Sequence, residues 1–303
     1  MQNTSNLLMI RPVNFGFNEE TATDNAFQVK GFNDNAQEKA LKEFDNFVEL
    51  LRKNKIDVLV VDDTKAPYTP DSIFPNNWIS FHEDGRICLY PMYAPNRRLE
   101  RKETVFTAIN NKYKITKSED LTHYESKNKF LEGTGSMVLD RENKIAFACI
   151  SERTDKEVLD NFCKLFNYTP VAFLSVDSNG KPIYHTNVVM CVADKYVVIC
   201  LDTVKNKLER DKIVSTIENA GKEIIEITLE QMNNFAGNML QVKNTLGDRF
   251  IVMSEVAKKS LTEQQITAIE KYNSIISADL YTIEKNGGGS ARCMLAEIFL
   301  EEK

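Results

Sequence analysis

The sequence is poor in histidine and tryptophan, and it has no excess of positive charge and no long apolar run. Its three histidines, His82, His123 and His185, show no His-x-His or His-Glu-x-x-His spacing. No metal site is expected, and no cofactor. Six cysteines (Cys88, Cys149, Cys163, Cys191, Cys200 and Cys293) are scattered without a Cys-x-x-Cys pair. Met1 to Leu8 is polar and lacks the basic start and apolar stretch of an export signal. The expected compartment is therefore the cytoplasm, with reduced thiols. No segment approaches the ~18 apolar residues of a membrane span. The net charge is -6, so nucleic acid is not an expected partner. No linker or low-complexity tract divides the chain, and one domain over residues 1–303 is expected. Oligomeric state is left open.

What is present is an ordinary globular composition, 42% hydrophobic and 27% charged over 303 residues, enough for a large core. Amphipathic periodicity predicts five helices. They cover about Asn35 to Asn54, Arg98 to Lys112, Asp155 to Phe166 (capped by Thr154), Lys205 to Ala220 and Thr262 to Ile275. Thr262 and Gln265 have capping-box spacing. The helix starts recur every ~50 to 60 residues, which points to a repeated supersecondary unit. Short β-branched runs lie between them: 56–61, 196–201, 224–227 and 250–253. Strands alternating with helices indicate an α/β class. Periodicity leaves open whether the units make an open sheet or a ring.

Four loop-like segments combine glycine or proline with reactive side chains. They are Phe74-Pro75-Asn76-Asn77-Trp78, Leu131-Glu132-Gly133-Thr134-Gly135-Ser136, Tyr184-His185-Thr186-Asn187 and Asn286-Gly287-Gly288-Gly289-Ser290-Ala291-Arg292-Cys293-Met294. Each falls in a different repeat, which suits a site at one end of the scaffold. The three glycines permit close approach of a ligand, and Arg292 is a cation that favours a Cys293 thiolate. Cys293, His185 and Glu132 together supply a nucleophile, a general acid/base and an acceptor.

In order along the chain, these motifs resemble the guanidino-modifying enzymes of the pentein superfamily. Residues 74–79 resemble the Pro-Arg-Asp loop and residues 89–98 the arginine-deiminase segment after it. Glu132-Gly133-Thr134-Gly135 resembles the Glu-Gly-Gly-Asp loop, Ser151-Glu152-Arg153-Thr154 matches the Ser-Glu-Arg-Thr element, and His185-Thr186-Asn187 resembles His-x-Asp. The opening Ile10-Arg11-Pro12-Val13-Asn14-Phe15-Gly16-Phe17-Asn18 looks like the citrulline-utilisation hydrolase (CtlX) branch. The resemblance implies a pentein five-bladed ββαβ propeller in a single domain. It also implies a small-molecule substrate and covalent catalysis. Cys293 attacks the central carbon of a guanidino or ureido group. His185 protonates the leaving nitrogen and then activates water. Glu132 orients the substrate nitrogens, and Arg153, with Arg97 or Arg98, grips a carboxylate.

Three departures bear on substrate. The family's aspartates appear as Asn77 and Asn187, and the last Asp of Glu-Gly-Gly-Asp as Gly135. Fewer carboxylates suit a buried cation poorly, whereas an amide both donates and accepts. The expectation is therefore a neutral citrulline ureido group, cleaved to ornithine, ammonia and carbon dioxide. A guanidino substrate, handled by a deiminase or amidinotransferase, is the alternative, and a non-catalytic binding pentein is a second one.

Overall fold

A computed structural model of the chain describes residues 1–303 except 23, 24, 26 and 31–34. Among the described residues fifteen strands form five three-stranded sheets, each with the same connectivity. β1 (Asn6–Arg11) leads through helix Ala36–Lys53 to parallel β2 (Asp57–Asp62). β3 (Ile79–Phe81) and β4 (Arg86–Leu89) are antiparallel, and helix Glu103–Lys112 leads to β5 (Lys117–Asp120), parallel to β4. The pattern repeats with β6 (Val138–Asp140), β7 (Ile145–Cys149), helix Lys156–Phe166 and β8 (Thr169–Phe173). It repeats again with β9 (Met190–Val192), β10 (Tyr196–Ile199), helix Lys207–Asn219 and β11 (Glu223–Glu226). In the next unit, β12 (Leu240–Lys243) and β13 (Arg249–Ser254) lead through helix Glu263–Glu270 to β14 (Ser274–Ala278). The fifth unit is shared by the two ends of the chain: β15 (Ala296–Ile298) pairs antiparallel with β1. That pairing closes the ring that periodicity left open. The architecture is the five-unit ββαβ propeller of the penteins, and the first strands of successive units pack together, β6 on β9, β9 on β12 and β15 on β3.

The sequence reasons for the elements are local. Helix Ala36–Lys53 buries the stripe Ala40, Phe44, Phe47, Val48 and Leu51 at helical spacing. The second expected helix is broken. Pro95–Arg98 forms one short turn, and a new helix begins at Glu103. Thr154 is not the cap of the third helix. Asp155 is, its carboxylate accepting from the amides of Glu157 and Val158. The fifth helix ends at Glu270, and the capping box of Thr262 and Gln265 is formed. Residues 274–278, whose serines and isoleucines continue the apolar pattern, pair with β13 instead. Trp78 is fully buried and packs edge-on against Phe106.

Candidate active site

In each unit, the segment just before the first strand turns at one end of the ring. In four units these are the short helical turns Pro75–Asn77, Gly133–Ser136, Thr186–Val189 and Ala291–Met294, and in the unit that begins with β12 the turn is residues 233–238. Gly133 has φ +47, and a Cβ there would lie 2.3 Å from the Asn76 carbonyl oxygen. Only glycine lets these two turns meet. Gly135 is equally constrained: a Cβ would fall 2.4 Å from Asn77 Nδ2 and 2.8 Å from His185 Nδ1. The glycine found where the resemblance expects aspartate therefore makes room for Asn77 and His185.

Five of the expected residues, Cys293, His185, Asn77, Arg97 and Arg153, line one buried cavity with Asp71 and the three glycines. His185 Nε2 lies 2.8 Å from Glu132 Oε2. Burial pushes Glu132 up, but Arg153, His185 and Arg97 outweigh it and hold its carboxyl well below the usual range. An ionised carboxylate only accepts, so Nε2 carries the proton and Nδ1 is left as the base. Burial pulls His185 below its ordinary value, against the opposing pull of Glu132. Near neutral pH the ring is therefore uncharged.

Glu132 is differently employed from the expectation. Its Oε1 accepts from the Tyr93 amide at 2.9 Å, and its Oε2 from His185 and, at 3.4 Å, Arg153. It holds the histidine and Arg153 rather than presenting a free edge to substrate. Arg292 also departs. Its guanidinium turns from the thiol to the Leu295 carbonyl (2.8 Å) and Glu297 (3.0 Å). Cys293 Sγ instead receives two amide donors, Asn187 Nδ2 at 3.4 Å and Asn238 Nδ2 at 3.3 Å.

Arg97 and Arg98 separate cleanly. Successive helical residues project about 100° apart. Arg97 points inward to Glu100 (2.8 and 3.0 Å), Asn77 Oδ1 (2.8 Å) and the Phe74 carbonyl (3.2 Å). Arg98 points away to the Met92 and Tyr93 carbonyls at 3.0 and 3.2 Å and does not line the cavity. Arg98 therefore does not take the place at the substrate that the resemblance offered it.

The sequence reading missed three residues. Asp71, buried beside Arg97, accepts from Asn18 (2.7 Å) and Thr21 (3.1 Å). Burial raises its carboxyl, against the pull of Arg97. Tyr184 donates to the Gly288 carbonyl at 3.0 Å under the Arg153 guanidinium. Asn238 is the third. A signal for it existed, since its glycine-flanked loop occupies the one repeat without an assigned segment. The cavity is only about 20 Å³, room for roughly one water. Residues before the first helix cover it. Thr21 accepts from Arg153 through its carbonyl (3.1 Å), and Asn25 and Gln28 donate to the Gly287 carbonyl (3.4 and 3.0 Å). Among the described residues no cluster of His, Cys, Asp or Glu is set to hold a metal, and no helix is long and apolar enough to cross a membrane.

A ring of five ββαβ units is the fold of the penteins. The chain belongs to the family of eukaryotic N,N dimethylarginine dimethylhydrolases, whose model matches residues 11–300. The family so matched is one of hydrolases. Its fold is similar to the N-terminal domain of cyanobacterial ArgZ, an arginine dihydrolase, solved with substrate bound. The TM-score is 0.77 at 18% identity, covering 97% of this chain and 99% of that one. Against full-length ArgZ it spans 40% of the longer chain, with TM-score 0.76 and 18% identity. A dimethylarginine dimethylaminohydrolase adduct with S-methyl-L-thiocitrulline aligns at TM-score 0.65 and 14% identity, covering 98% of this chain and 100% of that one. No curated protein matches significantly by sequence.

Proposed function

We propose that this enzyme hydrolyses the terminal ureido group of citrulline, as in the citrulline-utilisation branch. The observation that carries the reading is a pair of buried amide atoms. Asn77 Nδ2 and Asn187 Oδ1 have no partner among the described residues. Their orientations follow from their neighbours. Arg97 Nη1 can only donate, which turns Asn77 Oδ1 toward it, and a Cys293 thiolate can only accept, which turns Asn187 Nδ2 toward sulfur, so one donor and one acceptor are left unmet. A ureido group offers a carbonyl to the first and N–H to the second. A guanidinium offers only donors, so it would leave Asn77 Nδ2 unsatisfied at a cost of about 1–3 kcal/mol. Arg97, Arg153 and Asp71 provide both signs of charge, which suits a zwitterionic amino-acid tail.

The chemistry uses this chain's own groups. Cys293 gives its thiol proton to His185 Nδ1 and the thiolate adds to the ureido carbon; the same proton, passed from His185 to the leaving nitrogen, lets ornithine leave as the amine. The enzyme is left as an S-carbamoyl thioester. Water, deprotonated at His185 Nδ1, attacks that carbon and restores the thiol. The carbamate released breaks down to ammonia and carbon dioxide.

The family match and the likeness to an arginine dihydrolase favour a second reading, in which arginine is the substrate, with Asp71 and Glu132 supplying the negative charge. The two readings are separated by kcat/KM for citrulline and arginine in wild type and Asn77→Asp. The aspartate keeps the acceptor for Arg97 and loses the Nδ2 donor, so the citrulline-to-arginine ratio should fall at least tenfold. A wild type that turns over arginine and ignores citrulline would sink the citrulline reading.

A further inference from the structure

Four of the five turns at the catalytic end carry residues already assigned, Asn77, Glu132, His185 with Asn187, and Cys293. The fifth, before β12, is Asn233-Asn234-Phe235-Ala236-Gly237-Asn238. A Cβ on Gly237 would lie 2.2 Å from the Val188 carbonyl oxygen, so only glycine lets this turn reach the His185–Asn187 turn. That approach delivers Asn238, which is buried, to three groups at once. Its Oδ1 accepts from the Arg292 amide at 3.0 Å, and its Nδ2 donates to the Asn187 carbonyl at 3.0 Å and to Cys293 Sγ at 3.3 Å. The backbone N–H of Arg292 can only donate, which fixes the amide with its nitrogen toward sulfur.

We propose that Asn238 is a further functional residue of this enzyme, positioning Cys293 and stabilising its thiolate, in the role the sequence suggested for Arg292. The inference rests on the nucleophile reading of Cys293. A thiolate in this buried site must be stabilised by donors or by charge. His185, Asp71, Arg97 and Arg153 line the same cavity, and Glu132 is engaged by His185. Glu284 is held by Ser290 on the glycine loop, and Arg292 faces Glu297. These groups are common to wild type and variant, so a comparison at position 238 isolates the amide. Asn187 supplies the other donor, and the two amides come from adjacent units bridged by the Asn238–Asn187 hydrogen bond.

The test is the pH dependence of Cys293 alkylation by iodoacetamide in the intact chain, read by peptide mass spectrometry. Asn238→Leu removes the donor with little change in size and no change in charge. Its profile should move to higher pH by about one unit, with an approximately tenfold lower rate below neutral pH. Asn238→Ala gives the same loss should the leucine side chain prevent folding. A folded variant with the wild-type profile overturns the proposal, since a packing role alone lowers stability without moving that profile. A wild type whose Cys293 reacts no faster than its five other cysteines removes the nucleophile reading, and the proposal with it.

Discussion

At the scale of single residues the site works by division of labour between neighbours in sequence. Arg97 enters the cavity while Arg98 braces the Met92–Tyr93 backbone. Cys293 faces the cavity while Arg292 faces Glu297. Replacing Cys293 by Ala should abolish turnover with an unchanged thermal melt, and a variant that retained wild-type kcat would contradict the covalent route. His185→Ala should lose about 10²- to 10⁴-fold in kcat. The pH dependence has a definite sign. His185 must be neutral to accept a proton from water, so kcat/KM should fall as pH drops through its titration, which burial places below 6.5. Glu132 raises that value, so Glu132→Gln should carry the acid limb of its residual activity to still lower pH. An acid limb that moved upward in the variant would show that the carboxylate does not act on His185. Residue types were legible in the sequence, but their directions were not. No motif tells which of two adjacent arginines turns inward, because that depends on where the helix turn at 95–98 begins.

At the scale of elements the nucleophile loop hangs from helix Tyr281–Gly287, which ends at Gly288 with φ +66. Within it, Glu284 accepts from Ser290 Oγ at 2.6 Å. Burial pushes its carboxyl up from 4.5 to about 7, although hydrogen bonds with Ser254 and Ser290 act the other way. The folded state therefore holds this proton to higher pH than the unfolded state does. The linked stability is fully present below about 4.5 and is lost as pH rises toward 7, by about 3 kcal/mol in all. Glu284→Gln should flatten this part of the thermal stability curve. An identical slope in wild type and variant would assign the pH dependence elsewhere. Gly135→Ala should preserve the fold but displace Asn77 and His185, lowering kcat about 10²-fold. Wild-type kcat in that variant would show that the contact is not felt. Amphipathic periodicity found the helices, and Thr262 with Gln265 formed its box as spaced, whereas the cap expected at Thr154 is Asp155. The broken second helix and the strand at 274–278 were not legible, because short apolar runs fit either period and tertiary pairing decides between them.

At the scale of the whole molecule, one rule places the chemistry: each unit turns at the same end of the ring before its first strand. The repeat was visible as five helices at nearly even intervals, and the four turns with glycine or proline pointed to the site. Ring closure was not visible, because it depends on β15 meeting β1 across almost the whole chain. Removing residues 296–303 would take away buried Ala296, Ile298 and Leu300 and leave Arg292 and Arg141 without Glu297. Loss of cooperative thermal unfolding is expected, and a melt at the wild-type temperature would show that closure is dispensable. The central claim is that Cys293 carries the ureido carbon during turnover, and one measurement addresses it directly. The wild-type enzyme is quenched with acid during turnover of citrulline labelled at the ureido carbon, and its peptides are weighed. The label should be found on the Cys293 peptide and on no other. Turnover with no label on Cys293, or with label on a different cysteine, would contradict the account.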